Sequence, residues 1–148
     1  MTSRRKVAAL VGVAVIVLGA AGAGVVLATR ESTIDVKGSL VVPAGGEINK
    51  GRNGVGNSCD TDGGYSDIRR GAQVTVRDGD GKVLALGELG WGSVYAVQAD
   101  KATQCRFEFT VAKVPDSKEF YSVEVSHRGE VRFDRDKLNA PLTLMLGT

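Results

Sequence analysis

The chain holds one histidine, His127, so any acid–base or nucleophilic chemistry through imidazole has to use it. Ser126 and Ser122 are the nearby hydroxyls for a Ser-His-Asp arrangement, in which the imidazole takes the serine proton and a carboxylate orients the ring. The rest of such a site is missing. No strained G-x-S-x-G elbow occurs anywhere, and Arg128-Gly129-Glu130 places a tight turn directly after the histidine. A solvated or half-buried structural histidine is the competing reading. Asp60, Asp62 and Asp67 crowd one stretch, and hard cations such as Ca²⁺ take several oxygen ligands. The EF-hand pattern fails where Gly64 and Tyr65 stand, which leaves aspartates that cap a loop as the simpler account. No cofactor motif and no metal-ligand spacing is found; the two cysteines and one histidine form neither a C-x-x-C nor an H-x-x-H pattern. No catalytic residue is assigned, and the chain is not expected to be an enzyme.

Three aromatic residues are better placed for binding. Trp91 stands between Gly90 and Gly92, Tyr95 follows four positions later, and Tyr65 ends a glycine-rich stretch. Trp and Tyr are enriched at binding hot spots. Tyr65, Trp91 and Tyr95 are therefore the candidate interaction surface, with Tyr65 and Trp91 on one rim if their loops leave the same end of the fold. The alternative for Trp91 is a ring plugging the core of a small domain. Arg69-Arg70 reads more simply as a solvated edge than as an anion site.

These residues need a scaffold, and the sequence says where it lies. Residues 7–28 carry no charge and directly follow Arg4-Arg5-Lys6. A bilayer core about 30 Å thick takes about 20 helical residues, so the run is predicted to be a transmembrane signal-anchor helix. The basic tail, residues 1–6, is expected in the cytoplasm, and everything beyond the run outside it. A cleaved secretory signal is the alternative, with Ala21-Gly22-Ala23 as the cleavage site and a secreted product. Residues 29–33 are then a short linker, and residues 34–148 one extracytoplasmic domain. An oxidising compartment suits the pairing of Cys59 with Cys105, an even count. On a chain-entropy model that closure stabilises by roughly 4 kcal/mol.

The whole chain has 19 basic and 17 acidic residues. The basic flank of the apolar run accounts for the excess, so the exported part is close to neutral. That argues against nucleic acid, which requires a basic patch or stripe. Most of the 20 glycines fall between Gly38 and Gly92, a density suited to turns between strands. Period-2 patterning predicts about seven strands, over residues 34–42, 72–77, 82–88, 105–114, 120–126, 131–133 and 142–146. Asp78-Gly79-Asp80-Gly81 is a hairpin turn. A loop covers residues 44–65, and Gly90-Trp91-Gly92 opens a second. The expected fold is all-β, a seven-stranded β-sandwich of prealbumin-like or Ig-like kind, preceded by the N-terminal helix.

The order VTVRDGDGKVLALGEL, CRFEFTVAKVP, FYSVEVSHRGEV resembles the prealbumin-like (transthyretin-like) sandwich of surface-protein and carboxypeptidase regulatory modules. Asp78, Gly81 and Lys82 match its turn, Pro115 its proline turn, and Tyr121, Val123 and Val125 its Y-x-V-x-V strand. Taken whole, with the C-x-x-x-G-G-Y-S-D-I stretch from Cys59, the chain is similar to single-pass exported proteins of high-GC Gram-positive bacteria. Neither resemblance implies a catalytic residue. The function expected is that of a membrane-anchored binding module without enzymatic activity, near the outer face of the cytoplasmic membrane. Its partner is expected to be a membrane or envelope protein. An envelope hydrolase using His127 or the Asp-rich loop is the alternative.

Overall fold

The computed structural model describes residues 31–43, 55–61, 63–98 and 101–146. Seven strands run β1 Thr33–Pro43, β2 Gln73–Asp78, β3 Val83–Gln98, β4 Lys101–Pro115, β5 Phe120–Val125, β6 Glu130–Asp134 and β7 Leu142–Met145. Two short 3-10 turns sit at Gly63–Tyr65 and Arg135–Asn139. Alternation puts Val36, Leu40 and Val42 of β1 on the same face as Phe107, Phe109 and Val111 of β4, and all of them are buried. Among the described residues no helix is long and apolar enough to cross a membrane. The predicted span, residues 7–28, lies outside them.

Hydrogen bonds join the strands in the order β6-β5-β2-β3-β4-β1-β7, all neighbours antiparallel except β1 and β7. β2, β3 and β4 form successive hairpins, and β5 returns beside β2, which is the Greek-key order. The expected division into two sheets is not how the hydrogen bonds run. They are continuous, because β3 is much longer than the patterning suggested. The first third of β3 pairs with β2, up to Glu88, and the remainder pairs with β4 from Glu88 onward. A register shift between Leu89 and Gly92 bends the strand at the changeover. The sheet curls on itself, and its outer strands β6 and β7 approach each other across a cavity of about 130 Å³ lined by Val131 and Leu144.

Residues Gly90-Trp91-Gly92 are therefore strand, not the start of a loop. Gly92 is needed there for closeness rather than for unusual dihedrals. A Cβ at this position would stand 2.7 Å from Cε1 of Phe107 and would press on the carbonyl oxygen of Cys59.

The stretch from residue 55 to Ala72 closes the free edge of β3. The N–H of Val94 donates to Asn57 O at 2.7 Å, the N–H of Cys59 to Gly92 O at 3.1 Å, and the N–H of Leu89 to Ala72 O at 2.9 Å. Cys59 and Cys105 form the expected disulfide, with Cα atoms 6.1 Å apart, tying this segment to β4. Ile68 follows as a fully buried plug.

Two side chains fix the crossings. The Asp78 carboxylate is buried and accepts the N–H of Asp80 at 3.1 Å and of Lys82 at 2.9 Å, which shapes the β2–β3 turn. Tyr121, also buried, donates its hydroxyl proton to Pro115 O at 2.8 Å and accepts the N–H of Lys118 at 3.1 Å. That tyrosine-corner arrangement pins the short link from β4 to β5.

Candidate interaction face

β3 builds the face. Leu89, Gly92 and Val94 point into the core, so Trp91 and Tyr95 point out of it. Trp91 is 70% exposed and Tyr95 47% exposed. Each ring carries an arginine. The Arg70 guanidinium lies 4.4 Å from the Trp91 ring centroid, and that of Arg106 lies 4.8 Å from the ring of Tyr95. A cation over an aromatic face is attracted by the ring quadrupole, and a stacked guanidinium keeps its N–H edge free to donate. β3 contributes Tyr95 and β4 its cation, Arg106; Arg70 comes from the segment tied to β4 by the disulfide.

Beside these rings a shallow trough of about 550 Å³ crosses the outer surface of β3, β4, β1 and β7. It is polar: Lys37, Glu88 and Glu108 stand in its walls, and Ser39, Thr110 and Thr143 carry hydroxyls. Arg106 links the trough to Tyr95 and reaches Glu108 at 3.7 Å.

Tyr65 does not join Trp91. It is half-buried against the core, and its ring is covered by Arg128 at 5.2 Å. Arg128 forms an ion pair with Asp67 and donates to Gly64 O at 2.5 Å. The bond from Arg128 holds the Asp67 carboxyl below its ordinary value and raises Arg128 in turn. Asp67 is thus part of a clamp between the 55–72 segment and the β5–β6 turn. Asp60 is exposed, and Asp62 lies outside the described residues. No group of three His, Cys, Asp or Glu side chains that could hold a metal occurs among the described residues.

The hydrolase candidates are spread apart. His127 sits on the β5–β6 turn with its side chain 86% exposed, and its Nδ1 is 3.6 Å from a Glu124 oxygen. Ser126 and His127 both take positive φ, 48° and 60°, as the hairpin requires. Ser126 Oγ is directed to Asp67 O at 3.4 Å, and Ser122 is buried with its hydroxyl unpaired. Among the described residues no serine hydroxyl is hydrogen-bonded to His127.

The arginines over the two exposed rings escaped the sequence reading. Arg69-Arg70 was visible as a pair, but nothing in its spacing points at a ring about twenty residues on. For Arg106 the signal was the alternation of its strand, which puts it on the outer face. Comparisons with protein-family models, curated proteins and solved structures found nothing that matches this chain.

Proposed function

We propose that this protein is a binding module without enzymatic activity, held at the outer face of the cytoplasmic membrane by residues 7–28. Its partner, a membrane or envelope component, is met through the face of Trp91 and Tyr95. One observation carries the reading: the only tryptophan of the chain is 70% exposed in the middle of a strand, with an arginine stacked on it. A large ring held out of the core contributes little to folding and much to a contact. The prealbumin-like resemblance fits this role, since it brings a scaffold and no catalytic group. β1 starts at Thr33, a few residues past the apolar run, so the tether reaches under about 20 Å and the domain rides close to the bilayer.

Replacing Trp91 with alanine tests this. Most of the ring is already in water, so unfolding should shift by less than about 1 kcal/mol. Crosslinking in intact cells should lose its main adduct in the variant. A Trp91→Ala protein that keeps the adduct, or that melts far below wild type, overturns the proposed surface.

A further inference from the structure

A second hollow lies away from Trp91. About 630 Å³ opens on the outer side of β5 and β6 beside the β2–β3 turn. Its apolar part is Phe120, which is 47% exposed. Arg132 and Lys137 line it as well, and neither has an ion-pair partner among the described residues. Of the carboxylates in its wall, Asp78 is engaged by Lys118 at 3.3 Å and Glu130 by Arg77 at 3.0 Å. Asp134 is left, so two free cations face one free acid.

The floor carries an independent sign of a missing ligand. Ser122 is 3% exposed, and its Oγ has no hydrogen-bond partner. Buried hydroxyls are normally paired, and leaving one unpaired is destabilising. The sheet register sets Ser122 between Arg77 and Arg132, on the outer face that bears the hollow.

From this we infer that the hollow binds an amphiphilic anion. The apolar tail lies against Phe120. The anionic head takes the fork of Arg132, the ammonium of Lys137 and the proton of the Ser122 hydroxyl. Its place in the fold gives the ligand two sources. The β2–β3 turn and Phe120 lie at the end of the sheet where Thr33 pairs with Pro115, the end at which the chain arrives from residues 7–28. A lipid phosphate is within reach there, and so is a soluble apolar phosphate.

The test uses the full chain in phosphatidylcholine nanodiscs, titrated calorimetrically with hexyl phosphate. Saturable binding at one site is expected, weaker by at least about tenfold for inorganic phosphate or hexanol alone. Arg132→Gln and Lys137→Gln should each lose about tenfold while melting at the wild-type temperature. If one of them fails to fold, the other decides. Absence of saturable binding, hexanol binding as tightly as hexyl phosphate, or wild-type affinity in the folded variants overturns the site. Native mass spectrometry separates the sources: a lipid source shows as phospholipid carried by the wild-type chain and lost in Arg132→Gln. A soluble source shows as hexyl phosphate binding with no lipid carried. Only the lipid source rests on the anchored reading above, and none of this depends on Trp91.

Discussion

Gly92→Ala sets two effects of opposite sign against each other. Alanine in a strand interior is favoured over glycine by about 0.5–1 kcal/mol, because glycine has more chain entropy to lose. Against that stands the space. The new methyl would lie 2.7 and 2.8 Å from Cε1 and Cζ of Phe107 and closer still to Cys59 O. Phe107 is fully buried, and Cys59 is bonded to Cys105, so neither neighbour can yield cheaply. Overpacking of this kind costs about 1–3 kcal/mol. Displacing the Cys59 N–H from Gly92 O, now at 3.1 Å, adds about 1 kcal/mol. The clash wins, and the net loss is about 1–3 kcal/mol. For a domain slightly above a hundred residues, about 4 °C per kcal/mol gives a fall in Tm of roughly 4–12 °C. Differential scanning calorimetry on oxidised protein measures it. The second substitution Phe107→Leu should return part of the loss, since the two sites share one contact. A Gly92→Ala protein that melts at or above wild type would refute the close approach and, with it, the bend of β3.

Three further outcomes are expected. Tyr121→Phe removes the hydroxyl between Pro115 O and the Lys118 N–H and should cost about 1–3 kcal/mol by urea unfolding, because the partners stay in place without it. Cys105→Ser should lower stability by roughly 4 kcal/mol, and peptide mapping without reductant should show Cys59 linked to Cys105 in the wild type. Stability should fall on the acid side. Arg128 beside Asp67 and Arg135 beside Asp116 hold those carboxyls below the ordinary value; in Asp78 burial pushes upward but the N–H of Lys82, Lys118 and the N–H of Asp80 outweigh it. Protonation then favours the unfolded chain, so their contribution is whole above about pH 4, where unfolded carboxyls are charged, and is lost as pH drops through the lower folded values. A Tm flat from pH 6 to pH 2 would contradict the three contacts.

Much of the sheet was legible because alternation is a direct consequence of one buried face. β2, β4, β5 and β7 all fall within a few residues of their predicted bounds, and the Asp78 turn and the disulfide are where the sequence placed them. β3 was cut short at Glu88 because glycine usually ends a strand. Here Gly90 and Gly92 sit inside one, where the chain must pass close to Phe107 and the 55–72 segment, and no local pattern reports that long-range crowding. The same gap hid the continuity of the sheet, which depends on β3 running on to Gln98. Of the candidate face, the rings were visible by type. That Trp91 and Tyr95 share a side follows from their spacing once the chain from Gly90 onward is strand rather than loop. That Tyr65 instead packs against the core under Arg128 depends on the distant β5–β6 turn. The hollow near Phe120 joins β5, β6 and two turns that are far apart in sequence.

The 55–72 segment couples stability to the face. Cys59 anchors one end of it to β4, the N–H of Gly71 donates to Leu89 O at 2.9 Å, and Arg70 stands next to that bond with its guanidinium on Trp91. The segment that carries the arginine is thus tied to β4 by the disulfide and to β3 by hydrogen bonds, while Trp91 belongs to β3 itself. Arg106, by contrast, is rooted in β4 and stays over Tyr95. The two rings therefore differ in what carries their cations, a segment laid along the edge of β3 for Arg70 and a strand of the sheet for Arg106. The register also separates the surfaces. Val94, next to Tyr95, is level with Cys105 and Val42 at the far end of β1, whereas the Phe120 hollow lies by Thr33. A ligand taken at the end where the chain arrives leaves the aromatic face open, so the two proposed contacts are compatible on one small domain.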